Sequence, residues 1–124
     1  MSKLQAMPAN ALPETPASPG ISRQLAFEGE GFLVVRARSA PGTVSGWHHH
    51  GDHDVYGYLA SGFARLESNN GEEGVSLKQG DFFHVPSHTE HREINPSSEE
   101  ENEFILFLYG TGPLVVNVDE PDQT

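Results

Sequence analysis

Between residues 21 and 118 the apolar positions recur with the two-residue period of strands, and no segment carries a helical stripe. Phe32, Leu33, Val34 and Val35 fill both faces of one run, bounded by Gly31 and by Pro41-Gly42, which predicts a buried strand. Residues 55–60 and 63–68 are two β-rich runs around Ser61-Gly62, followed by a second turn at Asn69-Asn70-Gly71, the pattern of a meander. Further runs follow at 75–77, 81–85, 91–94, 104–109 and 114–118. In the 104–109 run both faces are apolar, so Phe104, Leu106 and Leu108 read as core, as do Ile105, Phe107 and Tyr109. Eight or nine short strands punctuated by Gly, Pro and Asn predict an all-β sandwich or barrel, with a jelly roll as one closed solution.

A length of 124 residues leaves room for one hydrophobic core. Pro8, Pro13, Pro16 and Pro19 crowd the first twenty residues, so 1–20 is expected to be a flexible or extended arm, one that could become ordered across a neighbouring subunit. The domain is expected at 21–118 and a polar tail at 119–124. No run of 18 apolar residues predicts a membrane span, and no charged start precedes an apolar stretch, so a cytoplasmic protein without a membrane partner is expected. Cysteine is absent, which excludes disulfides, thiolate nucleophiles, zinc fingers and iron–sulfur clusters; any metal must be held by nitrogen and oxygen. The net charge is −11, with 4 basic and 5 acidic residues in 1–62 against 3 and 13 in 63–124. Such a chain repels phosphate backbones, so nucleic acid is not an expected partner.

All seven histidines lie between positions 48 and 91, four of them in His48-His49-His50-Gly51-Asp52-His53. Residues i and i+2 of a strand point to one face, so His48 and His50 can present imidazoles side by side while His49 points away. Imidazole suits iron, nickel, copper, zinc and manganese. Two ligands hold a metal weakly, and His91 is the leading candidate for a third. The other reading of the cluster is an exposed, chemically idle patch.

The spacing resembles the cupins. Their first motif runs Gly, five residues, His-x-His, three or four residues, Glu, six residues, Gly; Gly42, His48, His50 and Gly62 stand at those distances. Their second runs Gly, five residues, Pro-x-Gly, two residues, His, three residues, Asn; Gly80, Pro86, His91 and Asn95 match it. The resemblance implies a small double-stranded β-helix, or jelly-roll barrel, with His48, His50 and His91 as ligands of one divalent transition metal (Fe, Mn, Ni, Zn or Cu) inside it. Two positions depart from the pattern. Val55 stands where Gly62 would place the acidic ligand, and Asp54 fits only the shorter spacing, with a one-residue offset that flips a strand residue to the other face unless a turn or bulge before the strand restores it. The fourth ligand is therefore open between Asp54, His53 and water. His88 replaces a glycine, which predicts a turn residue with positive φ.

Other singled-out residues have plainer expectations. Trp47 reads as packing, His84 as a hydrogen-bonded structural histidine on the face of Phe82, and Asn95 as a side chain that stabilises a turn. Tyr56 and Tyr58 share a face that lines a pocket or a subunit interface. The acidic run Glu99, Glu100, Glu101, Glu103 reads as a solvated loop.

Three imidazoles leave open positions on a metal for substrate, water or dioxygen. The first expectation is an oxygenase-type enzyme acting on a small organic molecule in the barrel mouth, in a homodimer. Alternatives are a metal-dependent isomerase, a non-catalytic metal or small-ligand sensor or binding module, and a protein that keeps only the fold.

Overall fold

The computed structural model describes residues 3–68 and 71–119. Asn69 and Asn70 of the expected second turn, and residues 120–124 of the expected tail, lie outside that set. Among the described residues ten strands form two antiparallel five-stranded sheets. The first has the order β1 (Ser22–Gly29), β2 (Phe32–Ser39), β9 (Asn102–Tyr109), β4 (Asp54–Ser61), β7 (Phe82–Val85). In the second the order is β10 (Val116–Asn117), β3 (His48–His49), β8 (His91–Ile94), β5 (Phe63–Ser68), β6 (Glu73–Lys78). This is the expected jelly roll: consecutive strands repeatedly switch sheets, and no α-helix occurs among the described residues.

Alternation along each strand builds the core between the sheets. Val35, Ala37, Val55, Leu59, Val85, Phe104, Leu106 and Leu108 of the first sheet meet Ala64, Leu66 and Leu77 of the second. Each large aliphatic side chain withdrawn there stabilises the fold by about 1.5–3 kcal/mol. At the centre of the first sheet, β9 pairs over eight positions with β2, from Phe32↔Tyr109 to Ser39↔Asn102.

One expectation about the core is corrected. Phe104, Leu106 and Leu108 are buried, but Phe107 is 38% and Tyr109 52% exposed. Successive side chains of β9 point to opposite faces, and the sheet's outer face is uncovered in the single chain. Apolar residues on both faces of a strand therefore did not mean burial on both. Phe32, on the outer face of β2, is exposed for the same reason.

Residues 13–15 lie along the edge of β1. Thr15 N donates to Arg23 O and Leu25 N to Pro13 O, with a bridge between Glu14 and Gln24. Strand β1 itself corresponds to none of the apolar runs, because Arg23, Gln24 and Glu28 break up its apolar positions.

The motif positions are turns. Gly62, between β4 and β5, has φ 82°, and a Cβ there would stand 2.9 Å from Glu101 O, so both backbone and space require glycine. His88 adopts φ 58°, as its place in the motif predicted. Asn95 is buried and ties the turn after β8 together: Nδ2 donates to the carbonyls of Ser39, Ala40 and Glu100, and Oδ1 accepts from Ser97 N.

Candidate metal centre

Cross-strand pairing assembles the site. His48 on β3 is the register partner of His91 on β8, and His50 follows two residues after His48, just beyond the strand end. Their ring centroids lie 4.4 Å (His48–His91), 5.3 Å (His48–His50) and 5.1 Å (His50–His91) apart. All three side chains are buried, and one ring nitrogen from each lies within 4.8 Å of the others.

The hydrogen bonds assign those nitrogens. Each Nδ1 is held by a backbone carbonyl: His48 donates to Gly46 O at 2.9 Å, His50 to Leu114 O at 3.0 Å and His91 to Thr89 O at 2.8 Å. A carbonyl accepts only, so Nδ1 carries the proton and Nε2 keeps its lone pair. Three Nε2 lone pairs on neighbouring rings form the donor set that transition metals take, with each ring oriented by its backbone partner.

Burial also keeps the rings neutral. The pKa of His48 is pushed down to about 2 by desolvation, with His91 and Arg23 adding to the effect. That of His50 falls to about 3 for the same leading cause, with Arg23 and His91 next. His91 is lowered by desolvation against the opposing pull of Glu93. Neutral imidazole is the form that binds metal.

The residues considered for a fourth ligand lie elsewhere. Asp54 is not brought to the trio. On β4, Val55 points into the core and Asp54 outward, where its side chain is 46% exposed and Oδ1 accepts from His84 Nε2 at 2.9 Å. The register shift in the β4–β9 pair falls between Leu59 and Ser61, beyond Asp54, and does not reverse this. The one-residue offset therefore turned the aspartate away, and the valine occupies the inward position. His53 is buried, with its Nδ1 on His50 O, and stands outside the trio. His84 is hydrogen-bonded and half-exposed, stacked on Tyr56 at 4.5 Å. Trp47 is buried, with the Arg92 guanidinium 4.9 Å from its ring.

Two charged residues beside the trio were not anticipated. Arg23 of β1 is fully buried and its Nη2 donates to His48 Nε2 at 3.2 Å. Glu93 of β8 is buried, with Oε2 3.8 Å from His48 Nε2 and 3.9 Å from Arg23 Nη2. The signal for Glu93 was present in the sequence, because alternation along 91–94 puts it on the face of His91. Arg23 had none, since it precedes the first apolar run.

A cavity of about 240 Å³ opens beside His91, walled by Leu66, Val75, Val85 and Pro86 with Glu67 and Glu73 among its polar lining. It lies between strands of the two sheets, at β5–β6 and β7.

Comparison with known proteins agrees with this geometry. A family profile described as Cupin domain matches residues 35–109, which include the trio and both motifs. This chain is a cupin. Among solved structures it is similar to KdgF from a Halomonas species, at 24% identity and TM-score 0.69, over 88% of this chain and 96% of that one. An RmlC-like cupin from Shewanella frigidimarina is 19% identical with TM-score 0.69, over 88% and 93% of the two chains. The polyketide cyclase RemF from Streptomyces resistomycificus is 12% identical with TM-score 0.76, over 97% and 89%. At these identities the likeness concerns the fold alone. No curated protein matches this cupin, and none of its described helices is long and apolar enough to cross a membrane.

Proposed function

We propose that this cupin is a small metal-dependent enzyme that holds one divalent transition metal on His48, His50 and His91 and acts on a small organic molecule at the barrel mouth. The observation that carries the reading is the locked tautomer of the trio, with three Nδ1–H groups on backbone carbonyls, in a cluster where one ring nitrogen of each histidine lies within 4.8 Å of the others. A bound metal would supply Lewis acidity and, as Fe(II), the electrons that activate dioxygen. Three histidines leave coordination positions open for substrate, and the oxygenase-type reaction is the one proposed.

The chain's own residues do the rest. Leu66, Val85 and Pro86 line the approach with apolar surface and limit the water that reaches the trio. A cavity of about 240 Å³ is below the span of about 300–1,000 Å³ usual for drug-sized ligands, which points to a substrate of few heavy atoms. The backbone carbonyls fix ring orientation, so ligand geometry is set before any ion arrives.

The proposed partner of the outer face of the first sheet is a second copy of the chain. Tyr56, Phe82, Phe107 and Tyr109 are exposed on that sheet, an apolar surface of the kind that oligomers cover.

Elemental analysis of protein purified without chelators tests the metal, and oxygen uptake after reconstitution with each candidate metal tests the reaction. The expected result is about one metal per chain, lost in His50→Ala, with oxygen consumed only by the iron form in the presence of a substrate. Metal-free protein that takes up none on reconstitution would overturn the reading. Sedimentation analysis checks the dimer.

A further inference from the structure

The strand that delivers His91 to the trio also delivers a carboxylate. Glu93 stands two residues along β8, on the same face, and is 6% exposed. Its Oε2 is buried with no hydrogen-bond partner, 3.8 Å from His48 Nε2. Because His48 donates through Nδ1, that Nε2 is an acceptor too. Two lone pairs thus face one another in a dry interior, an arrangement that is unfavourable unless a cation lies against both. Among the described residues no other carboxylate comes within 4 Å of a trio nitrogen.

Arg23 answers this demand in part. Its Nη2 donates to His48 at 3.2 Å but stands 3.9 Å from Glu93, beyond a hydrogen bond, and its Nε and Nη1 are buried without partners. The guanidinium and the carboxylate form a buried pair that is poorly satisfied on both sides. A buried ion pair kept for stability alone is expected to have its remaining donors and acceptors filled.

We propose that Glu93 is the acidic ligand of this metal site, the carboxylate that completes His48, His50 and His91 in place of the position vacated at Val55 and Asp54. The inference rests on the metal reading above. Glu93 lies outside the set of nitrogens grouped within 4.8 Å, so reaching an ion requires a turn about its own side-chain torsions. No hydrogen bond holds Oε2 against that turn, and the contact given up is the long one to Arg23. Electrostatics favour it as well. The buried Arg23 guanidinium beside the three neutral imidazoles repels a divalent cation, and a carboxylate at the same place offsets that repulsion.

The test is Co(II) binding, read by competition with a chelator and by the visible absorption of the bound ion, in the wild-type protein and in Glu93→Gln, Arg23→Met and Asp54→Asn. Wild type is expected to bind one Co(II) per chain. Glu93→Gln should lose at least about tenfold in affinity and change the cobalt spectrum, as loss of a ligand does. Arg23→Met should bind at least as tightly as wild type, since a cation competing for His48 is gone, and Asp54→Asn should be unchanged. If Glu93→Gln folds poorly, the double variant Arg23→Met, Glu93→Gln removes both charges and should show the same tenfold loss. Wild-type affinity and spectrum in Glu93→Gln or the double variant would overturn the proposal, as would an equal loss in Arg23→Met, which would make the pair a structural unit. Wild-type protein that binds no cobalt would instead overturn the metal reading on which the proposal rests.

Discussion

His48 and His91 face each other across β3 and β8 as register partners, with ring centroids 4.4 Å apart. The pairing explains why two motifs distant in the chain behave as one site: the β3–β8 pair sets the separation of the rings, and backbone carbonyls set their orientation. A site built this way needs little reorganisation when an ion enters.

The buried imidazoles make stability depend on pH. An unfolded histidine titrates near 6.5, whereas folded His48 and His50 are held at about 2 and about 3. Between those values the unfolded chain binds more protons than the folded one, so stability falls as pH drops through 6.5 and goes on falling toward about 3. Each of the two contributes up to about 1.4 kcal/mol per pH unit in that window. Urea unfolding of metal-free protein at a series of pH values checks the slope, and His48→Gln should flatten it. A slope that His48→Gln leaves unchanged would show that His48 is not held neutral in the folded state.

Asn95→Ala removes the donor shared by the carbonyls of Ser39, Ala40 and Glu100, and the acceptor of Ser97 N, in a buried position. The expected cost is about 2–4 kcal/mol, since buried groups are left unsatisfied. Chemical denaturation measures it. A loss below that of a typical surface substitution would mean that water replaces the amide.

Gly62→Ala forces a side chain into a positive-φ turn and against the Glu101 carbonyl, 2.9 Å from the new Cβ. A destabilisation of about 1–3 kcal/mol is expected, with metal content per folded chain unchanged because the turn lies outside the trio. Thermal unfolding and elemental analysis of the same sample separate the two effects.

Much of the fold was legible because strand period and turn chemistry are local. The runs at 63–68 and 91–94 coincide with β5 and β8, and His88 adopts the positive φ its motif position required. Strand β1 was not legible, because Arg23, Gln24 and Glu28 hide its alternation, and the inward arginine is tolerated only through contacts made by distant strands. Nor was the exposure of Phe107 and Tyr109, since a strand apolar on both faces looks the same whether or not its outer face is covered.

The amino-acid order by itself determined the strand-rich class, the turn glycines, and the three histidines that come together, because periodicity and motif spacing are properties of neighbours along the chain. Tertiary structure alone decided that Asp54 points away, that Arg23 and Glu93 lie against His48, and that each Nδ1 meets a carbonyl. Those outcomes depend on strand register and on which sheet faces which, and register is set by the packing of the whole core.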